Sequence, residues 1–296
     1  MTRSSYKAHL ALLGTSFIFG ANYWIAKGLM PVYFSPFQLV IVRIAGACLI
    51  FWGISFFMKP ERIARKDMKI IALAALFGTT INQLLFFTAL NLTSPVDVSL
   101  IHVSNPIFVL VFAAILIRER ISLLKVLGII LGATGAVILI LYRGKLSFGS
   151  DTFTGNFLAM INMMAYAVYL VIIKPVMAKY SPITVMKWVF LFGFIFTAPF
   201  TVGSLGAVEL QVFDMRGILS VIYVVVATTF LAYLLTIYAL KYVDASVAGF
   251  YIYLQPLIVA IIAYWLGQQP VTWEKGVAAA LIFAGVYMVS RRNSTA

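Results

Sequence analysis

Residues 79–90 read TTINQLLFFTAL and residues 229–240 read TFLAYLLTIYAL. The offset between them, 150 positions, aligns Ile71 to Ile140 with Val221 to Ser290 without a gap. Thr79 falls on Thr229, Leu84 on Leu234, Ala89 on Ala239, Ala113 on Ala263, Lys125 on Lys275 and Gly135 on Gly285. Apolar chains match at Leu and Ala by composition alone, so the weight rests on Pro106 with Pro256 and on the unbroken register. A shift of 146 extends the match upstream, pairing Tyr23 with Tyr169 and Ser35-Pro36 with Ser181-Pro182. The chain therefore divides into two copies of one unit, residues 1–145 and 146–296.

Of the 296 residues 63% are hydrophobic and 10% charged, and the mean hydropathy is +1.03. A soluble domain cannot bury that much apolar surface, so lipid must solvate it. Apolar runs of spanning length fall near residues 8–29, 34–58, 69–90, 96–117, 122–142, 154–178, 182–204, 217–240, 245–267 and 272–290. The expected fold is all-α and integral to the membrane, with ten transmembrane helices as two five-helix repeats around a central cavity. An odd number of spans per copy makes the second copy enter from the opposite side, which gives the inverted repeat of alternating-access transporters.

The net charge of +13 sits in short loops rather than in a free basic domain, so it sets orientation and nucleic acid is not an expected partner. With the N-terminus inside, the inner segments hold most of the Lys and Arg, among them Lys59, Arg62, Arg65, Lys66, Arg291 and Arg292. The outer loops hold Arg143, Lys145, Arg216 and Lys275. Both termini are expected in the cytoplasm, in a bacterial-type inner membrane. Trp52, Trp265, Trp273, Tyr180 and Tyr287 fall near span ends, as interfacial aromatics should.

Gly20-Ala-Asn22 followed by Lys27, then Arg43, Asn105-Pro106 and Arg118-Glu119-Arg120, resemble the drug/metabolite transporter superfamily, EamA type, over essentially the whole chain. The resemblance implies a cavity lined by helices 1 to 4 and 6 to 9, with helices 5 and 10 supporting, and export or exchange of small metabolites such as amino acids. Two departures make the halves unequal: Gln269 stands where the second copy could match Glu119, and Val189 faces Arg43 across the repeat.

Buried polar groups in a membrane are costly, so those near mid-span are candidates for function. Arg43 lies ~13 Å from the outer end of its helix at ~1.5 Å per residue. A guanidinium there suits a substrate carboxylate, the alternative being a structural arginine bonded to carbonyls or a polar neighbour. Helical spacing sorts the other candidates into stripes: Tyr23 in helix 1, Thr79 with Asn82 and Gln83 in helix 3, His102 and Asn105 in helix 4. The second copy adds Asn162, Tyr166 and Tyr169 in helix 6, Thr229, Tyr233 and Thr236 in helix 8, and Tyr251 and Gln255 in helix 9. Taken singly, each is more often an interhelical hydrogen bond than a substrate contact, and the stripes together are better evidence than any member. His102 is open to two roles, proton coupling or a neutral hydrogen bond. Pro106 and Pro256 each remove a helical hydrogen bond, which makes them hinges or static kinks. Lys27 and Lys187 near span ends can snorkel to headgroups. Gly128, Gly132 and Gly135, with Gly276, Ala280 and Ala284, make small-residue ridges for close packing within the protomer or in a homodimer.

No Asp or Glu lies deep in a span, Asp97 being near an outer end, and neither H-E-x-x-H nor G-x-S-x-G occurs. The spans thus lack the constellation an enzyme needs. Cys48 is the single cysteine, so neither a disulfide framework nor a thiolate metal site is expected, and no cofactor is implied. The partners are the bilayer and a small-molecule substrate, with the protein a monomer or a homodimer. The function expected is a secondary transporter, most simply an exporter or exchanger of amino acids or similar small amphipathic carboxylates. A broad exporter of amphipathic or cationic compounds is the alternative, followed by a channel or scramblase.

Overall fold

The computed structural model describes residues 3–30, 32–93, 98, 101, 102, 104–119, 121–141, 150–208, 212–265 and 273–290. Arg120, Asp97, Arg143, Lys145, Gln269, Arg291 and Arg292 lie outside the described residues, as does the side chain of Lys275. The described residues are helical apart from short connections. We number the helices α1 (Arg3–Leu29), α2 (Pro36–Ser55), α3 (Arg65–Leu92), α4 (Asn105–Leu116), α5 (Leu123–Leu141), α6 (Ser150–Met177), α7 (Pro182–Thr201), α8 (Met215–Leu240) and α10 (Trp273–Ser290). Between the last two, α9 runs through Ala245–Phe250, a 3-10 turn at Tyr251–Tyr253 and Leu254–Trp265. Among the described residues five helices are long and apolar enough to cross a membrane, beside shorter apolar ones.

The starts of α2 and α7 follow from Ser-Pro pairs. Ser35 accepts from the Gln38 amide at 3.4 Å while Gln38 Oε1 accepts from the Ser35 amide at 2.7 Å, a reciprocal cap that satisfies two orphan donors. Ser181 accepts from the Thr184 amide at 3.2 Å. Pro36 and Pro182 then fill the first turn, where a missing N–H costs nothing. Inside α3 and α8 the backbone widens into π-helix, at Leu76–Ile81 and Tyr223–Leu231.

The fourth expected span is interrupted. Val98 and Ile101–His102 are helical, Ser104 turns, and α4 restarts with Pro106 in its first turn. Pro106 thus begins a helix instead of kinking one. In α9 the 3-10 turn ends at Tyr253 and Pro256 falls in the first turn of the helix that follows, where its missing N–H removes no bond within that turn. At the far end of α4 Arg118 is left-handed at φ 52°, and the Glu119 amide returns to the Ala113 carbonyl at 3.0 Å.

Packing follows a pattern of matched pairs. α5 lies along α10 and α2 along α7. α1 packs on α8 as α6 packs on α3, and α1 meets α9 as α6 meets α4. The α5–α10 contact is backbone-close: a Cβ on Gly285 would lie 2.6 Å from the Gly128 carbonyl oxygen and 2.9 Å from the Gly132 nitrogen. Gly276, Ala280 and Ala284 are exposed, so that ridge does not make the contact that Gly285 makes.

Two polar clusters gather at the end where α3 begins and α6 finishes. Asp67 accepts from Lys179 Nζ at 2.9 Å and from the Tyr180 hydroxyl at 2.8 Å, so Tyr180 ties the α6–α7 loop to the first turn of α3 rather than standing as a free interfacial aromatic. Lys125 pairs with Glu119 at 3.1 Å and Asp244 at 2.7 Å, and the Ser246 hydroxyl donates to Glu119. Lys174 donates to the Leu240 carbonyl at 2.9 Å and to that of Val243. At the opposite end Lys27 donates to the Leu90 carbonyl at 2.8 Å, closing the last turn of α3 instead of snorkelling. Lys187 Nζ lies 5.1 Å from the Trp52 ring centroid.

Candidate functional site

A partly open cavity, about 540 Å³ of atom-free space with its open mouth included, lies among α1, α2, α3, α6, α8, α9 and the segment before α4. Its wall holds nine of the residues expected from sequence: Tyr23, Arg43, Asn82, Gln83, His102, Asn162, Tyr166, Tyr233 and Gln255. The wall also carries Phe19, Asn22, Phe86, Phe87, Met163, Thr228 and Ile252.

Three expected residues stand elsewhere. Asn105 is fully buried and donates to the Met163 carbonyl at 3.0 Å, joining α4 to α6. Tyr169 is fully buried with its hydroxyl 3.9 Å from Met186 sulfur. Tyr251 faces a smaller adjoining space lined by Thr15, Ser16 and Thr236; its hydroxyl is 2.7 Å from His9 Nδ1. α7 contributes nothing to the cavity wall. At its midpoint Val189 replaces any counterpart of Arg43, and Phe190 meets the Tyr233 ring edge-on at 5.4 Å, so aromatic packing fills the position.

Arg43 is 3% exposed. Its Nε donates to Thr229 Oγ1 at 2.8 Å, and its guanidinium carbon lies 4.6 Å from the Phe87 ring centroid. An aromatic face beneath a desolvated guanidinium contributes about 2 kcal/mol. No carboxylate among the described residues pairs with it. A cation buried in this way is costly to hold in a membrane.

Around Arg43 the amides cross-tie the helices. Asn162 Nδ2 donates to the Asn82 carbonyl at 2.6 Å, and Asn82 Nδ2 returns to the Asn162 carbonyl at 3.5 Å. The Tyr233 hydroxyl donates to the Gly78 carbonyl at 3.0 Å and accepts from Gln83 Nε2 at 3.4 Å. Tyr23 and His102 Nδ1 share a short hydrogen bond, so one ring nitrogen of His102 is committed to the wall. Five polar atoms on the wall remain without a hydrogen-bond partner: Asn22 Oδ1, Gln83 Oε1, His102 Nε2, Asn162 Oδ1 and Thr228 Oγ1. A buried polar atom left unpaired costs roughly 1–3 kcal/mol, and these atoms stand beside a guanidinium that has no carboxylate partner among the described residues.

The missed residues had weak signals. Asn22 adjoins Tyr23 and belongs to the Gly20-Ala-Asn22 string. Thr228 was hidden by the π segment. The phenylalanines carry no polar mark and read as core.

A polytopic helical membrane protein with a central cavity lined by polar and aromatic side chains has the form of a solute carrier. The profile of the EamA-like transporter family matches this chain twice, at residues 6–141 and 153–291. The chain belongs to the EamA-like transporter family. It is similar to an uncharacterized transporter of Archaeoglobus fulgidus, 27% identical over 97% of this chain and 98% of the relative. The uncharacterized transporter YyaM of Bacillus subtilis is 25% identical over 95% of this chain and 93% of its own length. A probable terminal-alkyne amino-acid exporter of Streptantibioticus cattleyicolor is 22% identical over 79% of this chain and 76% of that relative. One solved crystal structure superposes with a TM-score of 0.74 at 19% identity, covering 97% of this chain and 96% of the other, which shows the fold alone.

Proposed function

We propose that the protein is a secondary transporter of ten membrane helices, built as two inverted five-helix repeats. It moves small amphipathic carboxylates, amino acids first among them, across a cytoplasmic membrane by alternating access, as an exporter or exchanger. The observation that carries the substrate reading is Arg43, a buried cation with no carboxylate partner among the described residues, facing a cavity in which the amide oxygens of Asn22, Gln83 and Asn162 are unpaired. A carboxylate bound there satisfies the guanidinium, and an ammonium on the same molecule has the oxygens of Asn22 and Gln83 to meet.

The repeat reading is supported by the double family match, by paired Ser-Pro caps and by π segments that overlap at the repeat offset. It is also supported by Lys27 and Lys174, which close the ends of α3 and α8 at corresponding carbonyls, Leu90 and Leu240. The printed name of the Streptantibioticus relative points the same way on substrate.

The test is counterflow in proteoliposomes with L-leucine and L-phenylalanine, each beside its decarboxylated amine. Saturable, trans-stimulated exchange of the acids is expected, and Arg43→Gln should abolish it while leaving a monodisperse protein. Unchanged affinity of Arg43→Gln for the acids would sink the role of Arg43. Flux without trans-stimulation would indicate a channel. The aromatic wall, Phe19, Phe86, Phe87 and Tyr166, favours one second reading, a broad exporter of amphipathic or cationic compounds; preference for the amines would select it.

A further inference from the structure

Behind Arg43, outside the cavity wall, stands Thr229. It is fully buried, its hydroxyl accepts from Arg43 Nε at 2.8 Å, and it donates its own proton to the Val224 carbonyl at 2.6 Å. That carbonyl lies five residues back, within the π-helical segment Tyr223–Leu231. With donor and acceptor both engaged, the hydroxyl cannot rotate away from the arginine. Phe87 bounds the guanidinium on a second side at 4.6 Å. Nε is the donor on the stem side of the fork, so tethering it leaves the two terminal nitrogens, the pair that grips a carboxylate bidentately, directed away from the stem.

The first copy shows that this arrangement is not imposed by the fold. Thr79, at the repeat position of Thr229, also lies in a π segment, yet its hydroxyl donates to the Ala75 carbonyl at 2.5 Å and packs on α7 at Gly193. A Cβ on Gly193 would fall 2.2 Å from Thr79 Oγ1. Where the partner helix carries Val189 instead of an arginine, the threonine serves packing. Where it carries Arg43, the threonine serves the arginine.

We infer that Thr229 is the positioning residue that aims the Arg43 guanidinium into the cavity, and so sets the preference for carboxylate-bearing substrates without touching them. The inference rests on the reading of Arg43 as the carboxylate partner. Thr229→Val keeps shape and branching but deletes the acceptor; Thr229→Ser keeps the acceptor and deletes a methyl. Affinities of L-leucine and L-phenylalanine, and of the corresponding amines, are measured by thermal shift and counterflow for wild type, both Thr229 variants and Arg43→Gln.

Thr229→Val should weaken acid binding about 10-fold or more, as expected for a lost hydrogen bond to a charged group, and leave the amines within about 3-fold. Thr229→Ser should restore the wild-type ratio of acid to amine. If Arg43→Gln removes the preference and Thr229→Val keeps it, the inference falls and the role of Arg43 stands. If both threonine variants lose acid and amine alike, Thr229 is merely structural and the inference falls. If Arg43→Gln leaves the preference intact, both readings fall together.

Discussion

Tyr169 and Tyr233 show how a single side chain can be polar in sequence and apolar in use. Tyr233 reaches the Gly78 carbonyl from the cavity wall, whereas Tyr169 lies against Gly78 itself, its ring where a Cβ would stand 2.3 Å from Cδ2. Gly78→Ala must therefore displace a fully buried ring inside a packed bundle. A loss of about 1–3 kcal/mol is expected from such overpacking, read as a lower thermal unfolding midpoint in detergent. Gly53→Ala, where nothing lies within 4 Å of the new methyl, should leave the midpoint unchanged or slightly raised. Which tyrosines faced the cavity could not be read from a stripe of Asn162, Tyr166 and Tyr169. Spacing of three and four places them on one broad face, and only the arc of that face towards α3 and α8 is hollow.

Helices here are ended by specific side chains, and one such cap makes stability depend on pH. Asp214 caps α8, accepting from the Gly217 amide at 2.7 Å and from the Tyr33 hydroxyl at 2.8 Å in the loop after α1. The Gly217 amide, then the Tyr33 hydroxyl, hold its carboxyl below the usual carboxylate range. A depressed acid contributes stability that is present above its unfolded value and lost as pH falls through its folded value. Wild type should thus lose thermal stability relative to Asp214→Asn as pH is lowered below about 4, the ordinary Asp range, and differ most from it near neutrality. Parallel melting midpoints across that range would discount the carboxylate. The caps at Ser35 and Ser181 were legible because Ser-Pro before an apolar run is a local signal. The π segments were not. Each adds a residue to a turn, so a face read with a 3.6 period slips by about 100°, and Thr228 rather than Thr229 reaches the cavity.

Taken whole, the molecule pairs α5 with α10 on its flank and leaves the cavity to helices from both halves. If both termini are cytoplasmic, topology is testable without the site. In a Cys48→Ser background, Ser4→Cys and Ser294→Cys should resist an impermeant maleimide in right-side-out vesicles, and Ser147→Cys should react. Labelling of either terminus would reverse the orientation. By itself the sequence determined the internal match at an offset of 150, the apolar runs and the inventory of costly polar groups. These are set along the chain: the bilayer demands a minimum apolar length and the repeat preserves register. Only the tertiary structure decided that Arg43 rests on Thr229 and Phe87, that Tyr23 binds His102, and that α7 closes one side without entering the wall. The rotation of each helix about its own axis is fixed by the neighbours it packs against, and in lipid both faces of a helix can be apolar, so no local pattern states which one turns inward.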